Sequence, residues 1–125
     1  MFQLQGIDHV ALSVRDIARS TQWYIDVLGF EHRYPGMWDG VPVFVGKNGG
    51  ALALFPIATD AEVKACGVRI LHVAFGATRD QFLAAQRHLT ERGIAFEFQD
   101  HDISHSIYFR DPDGHELEIT TYDLA

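Results

Sequence analysis

The sequence states one pattern twice. Ile7-Asp8-His9-Val10-Ala11-Leu12 returns as Ile70-Leu71-His72-Val73-Ala74-Phe75, and each copy is followed by a helical pattern that stops at a glycine, Gly29 and then Gly93. The spacing is nearly kept further on, where Gly49 and Gly114 open the last strand pattern of each half. A chain built this way is expected to fold as two copies of one module, with His9 and His72 at equivalent places.

Each copy reads as one strand, one helix and three strands. Val10, Leu12 and Val14 share one face of the first strand pattern, while His9, Ala11 and Ser13 share the other. Asp16 stands where an N-cap belongs, and Ile17, Ser20, Tyr24, Val27 and Leu28 follow at helical spacing to Gly29. Strands are expected at Phe30–Tyr34, Val41–Gly46 and Ala51–Phe55. The second copy predicts a strand over Val68–Phe75 and a helix opened by Thr78 and Gln81 as a capping box, with Phe82, Ala85, Gln86 and Leu89 on one stripe. Strands at Ala95–Gln99, Ser106–Arg110 and His115–Thr121 complete it. Asp111-Pro112-Asp113-Gly114 has the residue chemistry of a tight turn, so the last two strands form a hairpin.

The expectation is therefore an α+β fold, a single domain over residues 1–125 with module one at 5–56, a linker at 57–67 and module two at 68–122. A module alone leaves one sheet face bare, so the two βαβββ modules are expected to join as an eight-stranded cup with helices outside. The histidines then face inward, among the small residues Ala11, Ala51, Ala53 and Ala74.

Aligning the last strand patterns by their glycines sets Ala53 against Glu118. Two imidazoles and one carboxylate result, His9, His72 and Glu118. An inward carboxylate flanked by Leu117 and Ile119 needs a cation to offset its desolvation. Two His and one carboxylate with positions left open suit Fe(II), Mn(II) or another divalent ion that must also bind a substrate. A lone strand histidine is ordinarily structural, but two at equivalent places of a repeat point to a shared task. His32, His88 and His115 are expected to be solvent-exposed.

Composition narrows the partners. With 10 Lys+Arg against 17 Asp+Glu the net charge is −7, so a nucleic acid or an anionic membrane is repelled, and a small-molecule substrate is expected. The longest wholly apolar run, Ala51 to Ile57, is strand-sized. The single Cys66 forms no internal bridge, and Met1–Gln5 lacks a signal-peptide pattern, which together predict a cytoplasmic protein.

Ile7-Asp8-His9-Val10, Trp23-Tyr24, Leu28-Gly29-Phe30, His72-Val73-Ala74-Phe75 and the stretch from Tyr108 to Glu118 span essentially the whole chain. By these residues the chain resembles the vicinal oxygen chelate superfamily, which includes glyoxalase I, bleomycin-resistance proteins, fosfomycin-resistance enzymes and extradiol ring-cleaving dioxygenases. The resemblance implies the two-module cup, a homodimer, and a divalent metal on His9, His72 and Glu118. Fe(II) is favoured, with Mn(II), Zn(II), Ni(II) or Co(II) as alternatives.

Family membership leaves the reaction open. Glyoxalase I places a further carboxylate where this chain has Ala53. The fosfomycin enzymes carry a threonine where this chain has Ala11, and their phosphonate-binding arginine has no counterpart in Thr121–Ala125. The extradiol signature is similar to His101, Ile107-Tyr108, Asp111-Pro112, Gly114 and Glu118, which implies catalytic roles for Tyr108 and His101. Gln99 departs from that signature, and the segment from Ile57 to Leu71 lacks the acid–base histidine of those enzymes, a role left to His101 or His105. The expected reaction is Fe(II)-dependent ring cleavage of a catechol-like compound. A metal-promoted isomerisation, lyase reaction or thiol transfer is the alternative, and drug sequestration without catalysis a third. Specificity is expected from Pro35-Gly36-Met37-Trp38-Asp39-Gly40 and the linker, with Trp38 and Phe44 as an aromatic wall for a flat ligand.

Overall fold

Each helix begins and ends where its caps dictate. In a computed structural model, which describes residues 1–3, 5–57 and 70–125, α1 covers Ile17–Leu28 and α2 covers Arg79–Glu91. The Asp16 carboxylate accepts from the Arg19 amide, and the Thr78 hydroxyl accepts from the Gln81 amide, so each helix has one of its orphan donors satisfied. At the end of α1, Gly29 is left-handed (φ 67°), its amide donates to Ile25 O, and the Phe30 amide reaches back to Tyr24 O. That double closure takes Phe30 out of the following strand and stacks its ring on Tyr24 at 6.0 Å.

The chain divides into two compact units, Met1–Cys66 and Gly67–Ala125. In the first, β1 (His9–Val14), β2 (Glu31–Arg33), β3 (Val43–Lys47) and β4 (Gly50–Pro56) form a four-stranded sheet in the order β1-β4-β3-β2. In the second, β5 (Val73–Gly76), β6 (Glu97–Asp100), β7 (His105–Arg110) and β8 (Glu116–Thr121) form a sheet in the order β5-β8-β7-β6. The fold is α+β, and each unit has the order βαβββ. First and last strands of each unit pair in parallel, and the other pairs are antiparallel. No helix among the described residues is long and apolar enough to cross a membrane.

Each sheet has an apolar face and a face of different chemistry. In unit one, α1 buries Ser20, Tyr24 and Val27 over β3 and β4, where Val45, Leu52 and Leu54 are buried. In unit two, α2 buries Phe82 and Leu89 above Ile107, Leu117 and Ile119. The pleat sends the alternate residues to the other side. Register therefore gathers His9, Ala11, Ala51, Ala53, Phe44 and Gly46 on that side of the unit-one sheet, and Ala74, Tyr108, Glu116, Glu118, Ser106 and Thr120 on that side of the unit-two sheet.

Strand limits differ from the expectation in places with local causes. The strand expected over Val68–Phe75 is corrected at its start: β5 begins at Val73, whose ladder partner is Leu117, and β8 reaches only one residue before that, to Glu116. Ile70 and Leu71 precede it, exposed and without strand structure, and residues 68–69, like most of the expected linker at 58–67, lie outside the described residues. β3 begins after Pro42, which has no amide to donate. The β3–β4 hairpin turns through Asn48 and Gly49, both left-handed, the geometry that matches strand twist.

Gly46 faces the same hairpin so closely that an added Cβ would collide with the Gly50 carbonyl oxygen and lie 2.8 Å from Ala51 Cα. Both obstacles are backbone. Gly46→Ala is expected to cost about 1–3 kcal/mol of stability, read as a lowered urea midpoint.

Candidate metal centre

The parallel register of β5 and β8 brings a histidine and a carboxylate together. Ala74 pairs with Glu118, so His72, two residues earlier on the same side, leans along β8 until its Nε2 is 3.0 Å from Glu118 Oε1. Glu118 is buried and His72 is partly exposed, with side-chain exposures of 11% and 37%. Ser106, fully buried on β7, donates to the other carboxylate oxygen, Oε2, at 2.7 Å. A hydroxyl has one hydrogen, and the shorter, charge-assisted contact takes it. The Thr120 hydroxyl, 3.0 Å from Ser106 Oγ, is then the donor of that pair. Glu116 Oε2 lies 4.0 Å from His72 Nδ1, so each imidazole nitrogen faces a carboxylate.

Tyr108 pairs with Glu118 across β7 and β8, and its ring stands edge-on to His72 at 5.8 Å. Its hydroxyl is 3.0 Å from His101 Nε2, so the phenol donates to an unprotonated nitrogen or a protonated nitrogen donates to the phenol oxygen. The phenol pKa is raised above the ordinary tyrosine value, first by removal from water and then by the Glu118 carboxylate and a hydrogen bond to it, against a lowering from Ser106. The hydroxyl stays protonated through the neutral range. His101 lies in the turn between β6 and β7, where its backbone amide donates to Ser104 O.

In unit one, His9 opens β1 opposite Ala51, and Ala11 lies opposite Ala53. Ala53 thus holds the register position that Glu118 holds in unit two, as the repeat predicts. Nδ1 of His9 donates to Asp8 at 2.8 Å. A carboxylate only accepts, so Nδ1 carries a proton, and of the two uncharged tautomers this contact selects the one with its lone pair on Nε2. The His9 ring meets Phe44 edge-on at 5.0 Å. Phe44 pairs with Ala53 as Tyr108 pairs with Glu118, so each histidine rests against the equivalent aromatic of its own unit.

Of the remaining histidines, His32 is exposed as expected, whereas His88 and His115 are half-buried. His105 packs its ring on Phe98 at 5.2 Å and lies 3.6 Å from Asp100. Sequence reasoning missed Ser106 and Glu116. Ser106 has a signal in hindsight, since it stands two residues before Tyr108 on the same strand face. Glu116, two before Glu118, has the same one.

The donor chemistry suits a divalent ion. Nitrogen and oxygen donors about 2.0–2.2 Å from a metal and at right angles stand roughly 3 Å apart, the separation found between His72 and Glu118. Among the described residues, no group of three or more His, Cys, Asp or Glu stands together as a metal cage.

The family model of the Glyoxalase/Bleomycin resistance protein/Dioxygenase superfamily matches residues 6–119. The chain belongs to this superfamily. Among its relatives, a metallothiol transferase FosB from Staphylococcus epidermidis is 32% identical over 97% of this chain and 86% of that protein. Biphenyl-2,3-diol 1,2-dioxygenase 3 from Rhodococcus globerulus is 32% identical over 94% of this chain and 63% of that protein. A glyoxalase/dioxygenase from Nostoc punctiforme superposes with a TM-score of 0.76 at 25% identity, covering 94% of this chain and 90% of the other. Superfamily membership supports a metal-dependent enzyme acting on a small molecule, and the relatives divide among several reactions.

Ser106→Ala leaves a buried carboxylate oxygen without its donor. The variant is expected to lose about 1–3 kcal/mol of stability in urea unfolding, and Ser106→Thr, which keeps the hydroxyl, to lose less.

Proposed function

We propose that this superfamily member is an Fe(II)-dependent ring-cleaving dioxygenase for a catechol-like compound chelated through two vicinal oxygens. His9, His72 and Glu118 are the proposed metal ligands, and Tyr108 and His101 the proposed catalytic pair. The observation that carries the reading is the Tyr108–His101 hydrogen bond on the strand beside Glu118. The similarity to a biphenyl-2,3-diol dioxygenase supports it.

When bound, the ion supplies Lewis acidity toward the two substrate oxygens and redox chemistry toward dioxygen. The protein's part is positioning and proton management. Ser106 fixes one oxygen of Glu118 and leaves the other facing His72. Asp8 holds the His9 tautomer whose Nε2 is free to coordinate. The Tyr108 phenol is a hydrogen-bond donor for a substrate oxygen, and His101 Nε2 is placed to take or return its proton. The reading includes a homodimer and a cytoplasmic location.

A second reading is thiol transfer to an electrophile on the same ligands, supported by the similarity to metallothiol transferases. Ala11 and the end of the chain, which lack the phosphonate-binding residues, argue against fosfomycin itself as the electrophile.

Metal analysis after iron loading without oxygen is expected to find about one ion per chain, and a large loss in His72→Ala. Equal iron in both proteins would remove the ligand assignment. Oxygen uptake is expected across part of a catechol panel. Tyr108→Phe is expected to lower kcat by about 10²–10⁴ with a smaller change in KM. Silence with every catechol, together with turnover of a thiol and an epoxide, would decide for the second reading.

A further inference from the structure

Unit one carries a cluster of rings that the metal ligands do not use. Tyr34, Trp38 and Phe44 each touch the other two, at 5.8 Å, 5.7 Å and 5.4 Å between centroids. Rings gathered for core packing are buried, but Tyr34 is 56% exposed and Trp38 49% exposed. The backbone that holds them is unfavourable by itself: Tyr34, Trp38 and Asp39 are all left-handed, at φ 52°, 55° and 52°. Three non-glycine residues in that region within one short segment persist only where the surroundings enforce it, and such strain gathers at ligand-binding segments.

Phe44 ties the cluster to His9, whose ring it meets at 5.0 Å. Toward β1 and β4 the neighbours of Phe44 on that sheet face are the small residues Ala11, Ala51 and Ala53, while Arg33 of β2 pairs with Phe44 on its other side and Phe55 stands further along β4. The two units also differ at one equivalent position. Tyr108 of unit two carries a hydroxyl bound to His101, whereas Phe44 of unit one has none and lies in ring contact with Trp38.

We propose that Tyr34, Trp38 and Phe44 form an aryl subsite that holds the planar, non-coordinating part of a substrate chelated at the metal, with Trp38 the specificity-determining residue. The inference rests on the reading of His9 as a metal ligand. The occupant is a flat aromatic ring: edge-on and tilted rings leave π-faces for stacking, and a neighbouring coordinating histidine brings the chelating end of the same molecule within reach.

Two chelators separate the ring contribution from the metal contribution. Naphthalene-2,3-diol presents vicinal oxygens on a flat ring system, and acetohydroxamate presents them without a ring. Isothermal titration of Mn(II)-loaded protein without oxygen is expected to show naphthalene-2,3-diol binding about tenfold more weakly to Trp38→Ala. Acetohydroxamate should change less than about twofold, and Trp38→Phe should restore most of the diol affinity. His72→Ala should lose acetohydroxamate binding altogether. Selective weakening of the diol by Trp38→Ala, with no acetohydroxamate binding to the wild type, would sustain the subsite and sink the metal reading. Unchanged diol affinity in Trp38→Ala, or an equal loss of both chelators, would overturn the subsite. So would sedimentation of the wild type as a dimer that Trp38→Ala breaks, which would assign the rings to a contact between copies.

Discussion

The parallel pairing of first and last strands within each unit is the constraint on which the rest depends. A parallel pair needs a long crossover, and here the crossover is the helix and two further strands. The residues that meet in each pair are therefore the most distant in their unit: His9 stands opposite Ala51, and Ala74 opposite Glu118. Without that register, His72 and Glu118 would belong to opposite ends of the unit. With it they are 3.0 Å apart.

A buried carboxylate is costly unless its oxygens find partners, and Glu118 shows how the sheet arranges that. One oxygen faces a fully buried hydroxyl from β7 and the other faces an imidazole ahead of β5. Toward the carboxylate the hydroxyl is a fixed donor. The imidazole can exchange its proton for a metal bond, so the two oxygens divide into a structural one and a chemical one. Unit one has a methyl group at the same position, Ala53, and the ring beneath it carries no hydroxyl. The duplication has kept its backbone and its histidine in both copies while the surrounding chemistry has diverged.

The repeat made most of the fold legible. The caps at Asp16, Gly29 and Thr78, the order βαβββ, and the equivalence of Ala53 with Glu118 are local or periodic signals, and all are found in the structure. Strand ends were less legible, because they depend on where a partner stops. Nothing in Ile70-Leu71-His72 announces that β8 begins only at Glu116. Of the site, Glu118, His72 and Tyr108 could be singled out from alternation and motif. Alternation also puts Ser106 and Glu116 on the faces of Tyr108 and Glu118, but serine and glutamate on a strand read as ordinary surface residues until register places them against a buried oxygen or an imidazole. The strained backbone at Tyr34 and Trp38 was equally invisible, since neither residue type favours that conformation.

The Asp111–Gly114 turn has a consequence for the carboxylate seven residues on from its start. The Asp111 side chain accepts from the amides of both Asp113 and His115, and Gly114 closes the turn on the Asp111 carbonyl. So tied, the turn fixes an odd-or-even count along β8, and in a pleated strand that parity decides which side a residue looks to. A chain one residue longer here would carry the carboxylate toward the helix and Leu117 away from it. The small acidic turn is thus the counting device that aims the chemistry.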